Sequence, residues 1–273
     1  MTRRISVQTT IYTAAVCAAL LFGAFFSQSV AAPPAKPAAG SAPAVTLNVF
    51  AAASLTEALT EISTLYKASA PAVTLAFNFD SSGKLQTQIE NGAEADVFFS
   101  AGKKQMDALA ECCIDASTRK DLLVNKIVLI VPKTSKAGIK SFEDCMTDKV
   151  KLIALGNSSV PVGQYSEEIF KNLKGWEKVS AKASLGTNVK EVLSQTESGS
   201  VDCGVVYATD AATSKGGITV VATAPEGSHA PAVYPIAVLK RTANAEAAKA
   251  FVNYLSSPKA IAVFEKIGFN IVK

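Results

Sequence analysis

VTLNVFAAASLTEAL, residues 45–59, decides the fold. Val45, Leu47 and Val49 alternate with Thr46 and Asn48, the period of a strand with one buried face. The strand continues through Phe50 into the small residues Ala51, Ala52, Ala53 and Ser54. Leu55, Leu59, Ile62 and Tyr66 then recur at helical spacing. Ser54 reads as the N-cap of that helix, and Glu57 three residues later completes a capping box. A strand that runs through small residues straight into a helix is the building unit of an α/β sheet.

The unit recurs on either side of later turns. Val73, Leu75, Phe77 and Phe79 alternate as a second strand, and Ser81, Ser82 and Gly83 lead into a helix carrying Leu85 and Ile89, stopped at Asn91-Gly92. Residues 95–99 form a third, buried strand, followed by an amphipathic helix around Met106 and Leu109. Apolar runs at 127–131, closed by Pro132, and at 152–155 predict two more strands. A helix with Tyr165, Ile169 and Leu173 follows Pro161, and Thr187-Asn188 start another with Val189, Val192 and Leu193 inward. Strands are predicted at 204–207, 218–221 and 235–239, then two closing helices, one through Phe251 and Leu255 and one from Pro258 through Phe264. This alternation predicts α/β architecture with largely parallel sheets covered on both faces. No internal repeat of fixed period is present.

The first 44 residues read as an address label and a spacer. A basic start (Arg3, Arg4), an apolar run from Ile11 to Phe26 and the small-residue site Ser29-Val30-Ala31 have the layout of a cleavable secretory signal over residues 1–31. The run falls short of the ~20 residues needed to span a bilayer. Residues 32–44 are a Pro/Ala-rich linker. The mature protein is therefore expected to be soluble and exported. Of 27 Lys+Arg and 23 Asp+Glu in 273 residues, removal of the leader leaves 25 against 23, and no dense basic stripe supports nucleic-acid binding. His229 is the only histidine, which excludes sites built on several imidazoles. Cys112, Cys113, Cys145 and Cys203 remain after the leader, and the sequence leaves open a structural bridge, three full pairings or buried thiols.

In open α/β sheets ligands bind beyond the carboxyl ends of strands, where helices begin. Four junctions here carry small or hydroxyl residues: Ala53-Ser54, Ser81-Ser82-Gly83, Val162-Gly163 and Thr187-Asn188-Val189. Helix starts offer unpaired N–H donors and partial positive charge, which favour anions. Ordinary capping by Ser54 and Ser82 is the bland alternative. Tyr207, at the end of an apolar strand, reads as core with a polar tip. Lys84, Lys103 and Lys190 read as solvated helix-face residues, and His229 as structural or exposed.

In order, AAASLTEAL (51–59), SSGKLQTQIENGAEADVFFSA (81–101), NSSVPVGQYSEEIF (157–170), VVYATDA (205–211) and SHAPAVYPIAV (228–238) resemble segments of the bacterial periplasmic molybdate-binding proteins. The resemblance runs from about Val45 to Lys273. It implies a two-lobed periplasmic binding protein of type II-like fold, each lobe a mostly parallel sheet flanked by helices and joined by hinge strands. The lobes would be 45–122 plus 235–273 and 123–234. It further implies that Ser54 and Ser82 supply hydroxyl and amide donors, Val162 and Val189 backbone amides, and Tyr207 its phenolic hydroxyl. Where well-known relatives have alanine this chain has Val162, and Asp80 is also less usual; it is expected to point away from the ligand. The function implied is binding of molybdate or tungstate as a monomer, without cofactor, metal ligands or catalysis. Delivery would be to an ABC importer's permease with its ATPase, the lobes closing on the ligand. Donors alone disfavour hydrogen phosphate, which brings a proton that needs an acceptor. A receptor for sulfate or another tetrahedral oxyanion is the nearest alternative. A serine hydrolase would lack a G-x-S-x-G elbow and would have to use His229 as base. A thiol metal or redox protein would lack C-x-x-C spacing.

Overall fold

The computed structural model describes residues 44–272. The signal-peptide expectation, and all of the linker except Ala44, lie outside the described residues.

The first half of the chain builds one sheet. Its elements are β1 (Val45–Ala52), α1 (Thr56–Ser69), β2 (Val73–Asp80), α2 (Ser82–Glu90), β3 (Val97–Phe99), α3 (Lys103–Ala108) and β4 (Lys120–Asn125). The chain then crosses and builds a second sheet with β5 (Ile127–Pro132), β6 (Ile153–Gly156), α4 (Pro161–Asn172), α5 (Trp176–Ser180), β7 (Ala183–Gly186), α6 (Val189–Glu197), β8 (Cys203–Tyr207), α7 (Ala208–Thr213) and β9 (Ile218–Thr223). It returns through β10 (Ala232–Val238) and ends with α8 (Ala245–Tyr254), α9 (Pro258–Ile267) and β11 (Asn270–Ile271). The six-stranded sheet is ordered β11-β4-β10-β3-β1-β2 and the five-stranded sheet β7-β6-β8-β5-β9. Each sheet with its helices is one lobe of an α/β molecule.

Both sheets are mixed, which corrects the largely parallel expectation. β1 runs parallel to β2 and β3, and β6 to β7 and β8, as strands joined through helices must. β4, β5, β9 and β10 pair antiparallel with their neighbours. These four carry the chain between the sheets, β4 into β5 through Lys126 and β9 into β10. They therefore enter each sheet against its parallel strands.

Alternation in β1 places Leu47 and Val49 fully inside, in one core with Leu55 just before α1 and Leu59 and Ile62 of α1. In the second lobe Ile127, Leu129 and Ile130 of β5 pack with Val192 of α6 and Ile169 of α4 in the same fully buried layer. Full burial of a side chain of this size contributes roughly 1.5–3 kcal/mol.

Among the cysteines, Cys112 and Cys113 are bonded to each other. Cys145 and Cys203 are buried thiols with their sulfurs 3.9 Å apart. Burial and the neighbouring Cys145 push the Cys203 thiol far up, the Cys145 contact contributing most. Among the described residues no helix is long and apolar enough to cross a membrane.

Candidate functional site

Strand β1 delivers Ser54 into a 3-10 turn, Ala53–Leu55, rather than onto an α-helix cap. This corrects the capping-box reading: α1 starts one turn later with no side-chain cap, and the Ser54 hydroxyl instead lies 3.0 Å from the Tyr234 hydroxyl. At the second junction Ser81, not Ser82, caps α2, accepting from Lys84 N at 3.4 Å. Ser82 is thereby released from capping. Its oxygen accepts from the Ala101 N–H at 2.9 Å, so its own proton remains to be donated.

The second lobe presents helix starts. Pro161 opens α4, fixing φ where an N–H would have no helical partner, and Val162 follows. Asn188 caps α6 by accepting from Glu191 N at 3.1 Å, and Glu191 reaches back to Thr187 N at 2.7 Å. That brace leaves Val189 as the first residue of the helix. Among the described residues nothing accepts from the N–H groups of Val162 and Val189. Two helix starts with unused donors form a partial positive field without a cation.

Ser54, Ser82, Val189 and Tyr207 line one small, nearly closed-up cavity of about 10 Å³ with Ala52, Ala53, Asp80, Ser81, Ala101, Val160 and Pro161. Val162 is not on that wall, although Val160 and Pro161 beside it are. All five residues named from the sequence are buried. A larger groove of about 430 Å³ lies beside it, lined by residues including Lys103, Gln105, Gln164 and Lys171; it contains none of the five. The uncharged donors of Ser54, Ser82 and Tyr207 and the start of α6 at Val189 converge on the small cavity.

The charged groups at and around this cavity are paired with one another. Lys84 Nζ is 2.7 Å from Asp80 Oδ2, and Asp80 Oδ1 accepts from Ser81 N at 2.8 Å, so both oxygens of Asp80 are occupied although the residue lines the wall. Lys103 pairs with Asp121 at 2.6 Å. Lys190, next to Val189, reaches Glu57 of the first lobe at 2.8 Å and Asp210 at 3.0 Å. Asp210 is wholly buried, and burial pushes its carboxyl up to about 6 against the pull of Lys190. Burial opposes the charge on Lys190, but Asp210 and Glu57 outweigh it and the ammonium is held more firmly than usual. Thus each lysine considered from the sequence already faces a carboxylate.

Tyr207 spans the lobes, its hydroxyl donating to Ala101 O at 3.2 Å. Burial raises this phenol well above its usual value, so it is a neutral donor. His229 faces the Ala230 carbonyl through Nδ1 and tilts against the Tyr165 ring; neither serine uses it as a hydrogen-bond partner. Sequence reasoning passed over Tyr234, Asn125 and Thr209. Asn125 Nδ2 lies 2.8 Å from Thr209 Oγ1 and 3.2 Å from the Tyr234 hydroxyl. The signal was an uncharged polar residue inside the apolar run LLVNKIVLIV, a type seldom buried without a partner.

Known proteins carry the same architecture. The family model for bacterial extracellular solute-binding proteins matches residues 47–270. The chain is 40% identical over 233 residues to the molybdate-binding protein ModA of Escherichia coli (strain K12), covering 82% of this chain and 89% of that one. A solved structure described as the substrate-binding domain of a molybdenum ABC transporter, so attributed in Clostridium difficile, is 41% identical. It matches with a TM-score of 0.65 over 84% of this chain and 99% of that one. The periplasmic molybdate-binding protein of Azotobacter vinelandii, 23% identical, shares the fold with a TM-score of 0.74 over 83% and 100% of the two chains. On these matches the chain belongs to the bacterial extracellular solute-binding proteins, and among them to the family of the molybdate-binding proteins, which bind a solute and are not enzymes.

Proposed function

We propose that this protein binds molybdate, and tungstate with it, outside the cytoplasm and delivers it to an ABC importer. The observation that carries this reading is the small buried cavity edged by uncharged donors while the nearby lysines are engaged elsewhere. A desolvated dianion is stabilised there by hydroxyl and amide dipoles and needs no buried cation. A cavity of about 10 Å³ is far too small for an organic solute, whose sites run to roughly 300–1,000 Å³.

In this reading Ser54 and Ser82 donate from the first lobe, and Val162 and Val189 donate backbone N–H from the second. Tyr207 turns its hydroxyl from the Ala101 carbonyl to the ligand. The lobes divide at 45–122 plus 235–273 and 123–234, close to where β4 passes into β5 and β9 into β10. Because each holds part of the donor set, ligand favours their approach. The apposed form is what a permease with its ATPase would engage. Residues 1–31 act as a cleaved export signal, the linker 32–44 follows, and the protein works in the periplasm as a monomer without a cofactor.

Isothermal calorimetry of the purified protein with molybdate, tungstate, sulfate and hydrogen phosphate tests the reading. One-to-one binding of the first two and no heat from hydrogen phosphate is expected. Sulfate binding as tight as molybdate would break the named selectivity and leave a general oxyanion receptor. Silence with all four would overturn the function.

A further inference from the structure

We infer that Asn125 and Tyr234 force the Ser54 hydroxyl to act as a donor into the cavity, and so help decide which oxyanions are accepted. The inference deepens the oxyanion reading and rests on it for its consequence, although the hydrogen-bond chain itself does not. Its first link is the Asn125 amide. Lys126 N–H donates to Oδ1 at 2.9 Å, which fixes that atom as oxygen and turns Nδ2 toward Thr209 and Tyr234. An amide nitrogen can only donate, so the Tyr234 oxygen receives from Asn125.

The second link follows from burial. Tyr234 is fully buried, and two groups among the described residues meet hydrogen-bond geometry with its hydroxyl, Asn125 Nδ2 and Ser54 Oγ; the Tyr207 hydroxyl is also near but is turned to the Ala101 carbonyl. Were Ser54 to donate to it, the phenolic proton would be buried without an acceptor, which costs about 1–3 kcal/mol. The alternative satisfies every group. Tyr234 donates to Ser54, Ser54 accepts, and the serine proton is left for the cavity that Ser54 lines. Burial also holds Tyr234 protonated at any ordinary pH, so the chain keeps its direction.

Ser82 reaches the same state by a different route, its oxygen occupied by the Ala101 N–H. Both first-lobe hydroxyls are therefore turned into donors by the hydrogen bonds their oxygens accept from neighbouring groups. An oxyanion bearing a proton would bring O–H against O–H, whereas a fully ionised one accepts from both. Asn125 and Tyr234 are thus positioning residues for specificity.

Two experiments decide this. Neutron diffraction from deuterium-exchanged crystals of the protein reads the hydrogens without any ligand. Deuterium on Tyr234 Oη aimed at Ser54 Oγ, with the Ser54 deuterium toward the cavity, is expected; the Ser54 deuterium aimed at Tyr234 would overturn the inference. Calorimetry then compares Asn125→Asp with the parent. The new carboxylate accepts from Tyr234 and Thr209, so the Tyr234 oxygen now accepts a hydrogen bond from Ser54, and molybdate affinity should fall about ten- to hundredfold. The same change made on a Ser54→Ala background should cost distinctly less, leaving only the repulsion between the new carboxylate and the dianion. An equal loss on both backgrounds would mean a purely structural role and overturn the inference. A parent protein that binds neither molybdate nor tungstate would break the proposed ligand while the neutron result still stands or falls by itself.

Discussion

Ser54 and Ser82 enter the cavity from the first lobe as hydroxyls whose orientation other groups impose. From the second lobe Val189 presents its backbone amide at the start of α6, and Val162, just off the wall, presents its own at the start of α4. A hydroxyl can donate or accept, so its role must be set by hydrogen bonds around it. An amide can only donate, so its position alone must be set, and packing does that. The first lobe should therefore be sensitive to removing a side chain, and the second to adding one.

The comparison is sharpest at two glycines. A Cβ on Gly83, in α2 of the first lobe, would lie 2.2 Å from the Ser159 carbonyl oxygen of the second. A Cβ on Gly163, in α4, would lie 2.2 Å from the Gly156 oxygen and 2.6 Å from that of Asn157, both in its own lobe. Gly83→Ala should leave the lobes individually sound but oppose their approach, lowering molybdate affinity on the order of a hundredfold or more with no loss of thermal stability. Gly163→Ala should instead lower stability by about 2–3 kcal/mol, because the clash is present whatever the ligand does. Calorimetry and thermal melts separate the two. Gly83→Ala that binds like the parent would break the link between binding and the approach of Gly83 to Ser159.

The next test concerns the scaffold under the amides of α6. Lys190 neutralises the buried Asp210 beneath that helix start. Lys190→Met removes the partner of a wholly buried carboxylate and should cost on the order of 3 kcal/mol at pH 8. The sign with pH follows from Asp210. Its carboxyl stands at about 6 in the folded protein, above its ordinary 3.8, with burial the main cause. A raised carboxyl favours the folded state below the ordinary value, and that contribution is lost as pH climbs through about 6. Without Lys190 the carboxyl rises further, so the variant's deficit in urea unfolding should be smaller at pH 5 than at pH 8. A deficit independent of pH would mean that Lys190 acts through packing alone.

Removing the first-lobe hydroxyls comes next in size. Ser54→Ala and Ser82→Ala should each weaken molybdate binding about ten- to hundredfold, the value of a hydrogen bond to a charged group. The consequences for the free protein differ. Ser82→Ala leaves the Ala101 N–H without its acceptor, and Ser54→Ala leaves Tyr234 without one. Equal affinity for either variant and the parent in calorimetry would remove that hydroxyl from the donor set.

How far this site was legible depends on the range over which its parts interact. β1 and β2 were readable because alternation is local, and Ser54, Ser82, Val189 and Tyr207 meet on one cavity because strand ends and helix starts are local too. Ser54 was misread as a cap because the same residue pattern serves an N-cap and a 3-10 turn. β4 was missed since residues 122–131 look like one apolar run; Asn125 and Lys126 interrupt it where the chain passes between sheets. β7 and α5 are four and five residues long, too short to show a period. Tyr234 and Asn125 escaped because their bonds join residues 180 and 109 positions apart, and no local pattern encodes that.

The smallest expected effect is the one that tests the second lobe most directly. Val162 is fully buried, and its place in the donor set rests on its N–H alone. Val162→Ala keeps that N–H, keeps Pro161 before it, and suits the first turn of a helix. Molybdate affinity should therefore change by no more than about threefold, while the lost methyl groups lower stability by roughly 1–2.5 kcal/mol. Affinity and stability thus part company here, whereas at Ser54 the larger change is in affinity. A loss of affinity in Val162→Ala matching that of Ser54→Ala would show the valine side chain shaping the pocket, and the contrast between hydroxyls held by bonds and amides held by packing would fail on the side where it makes its strictest claim.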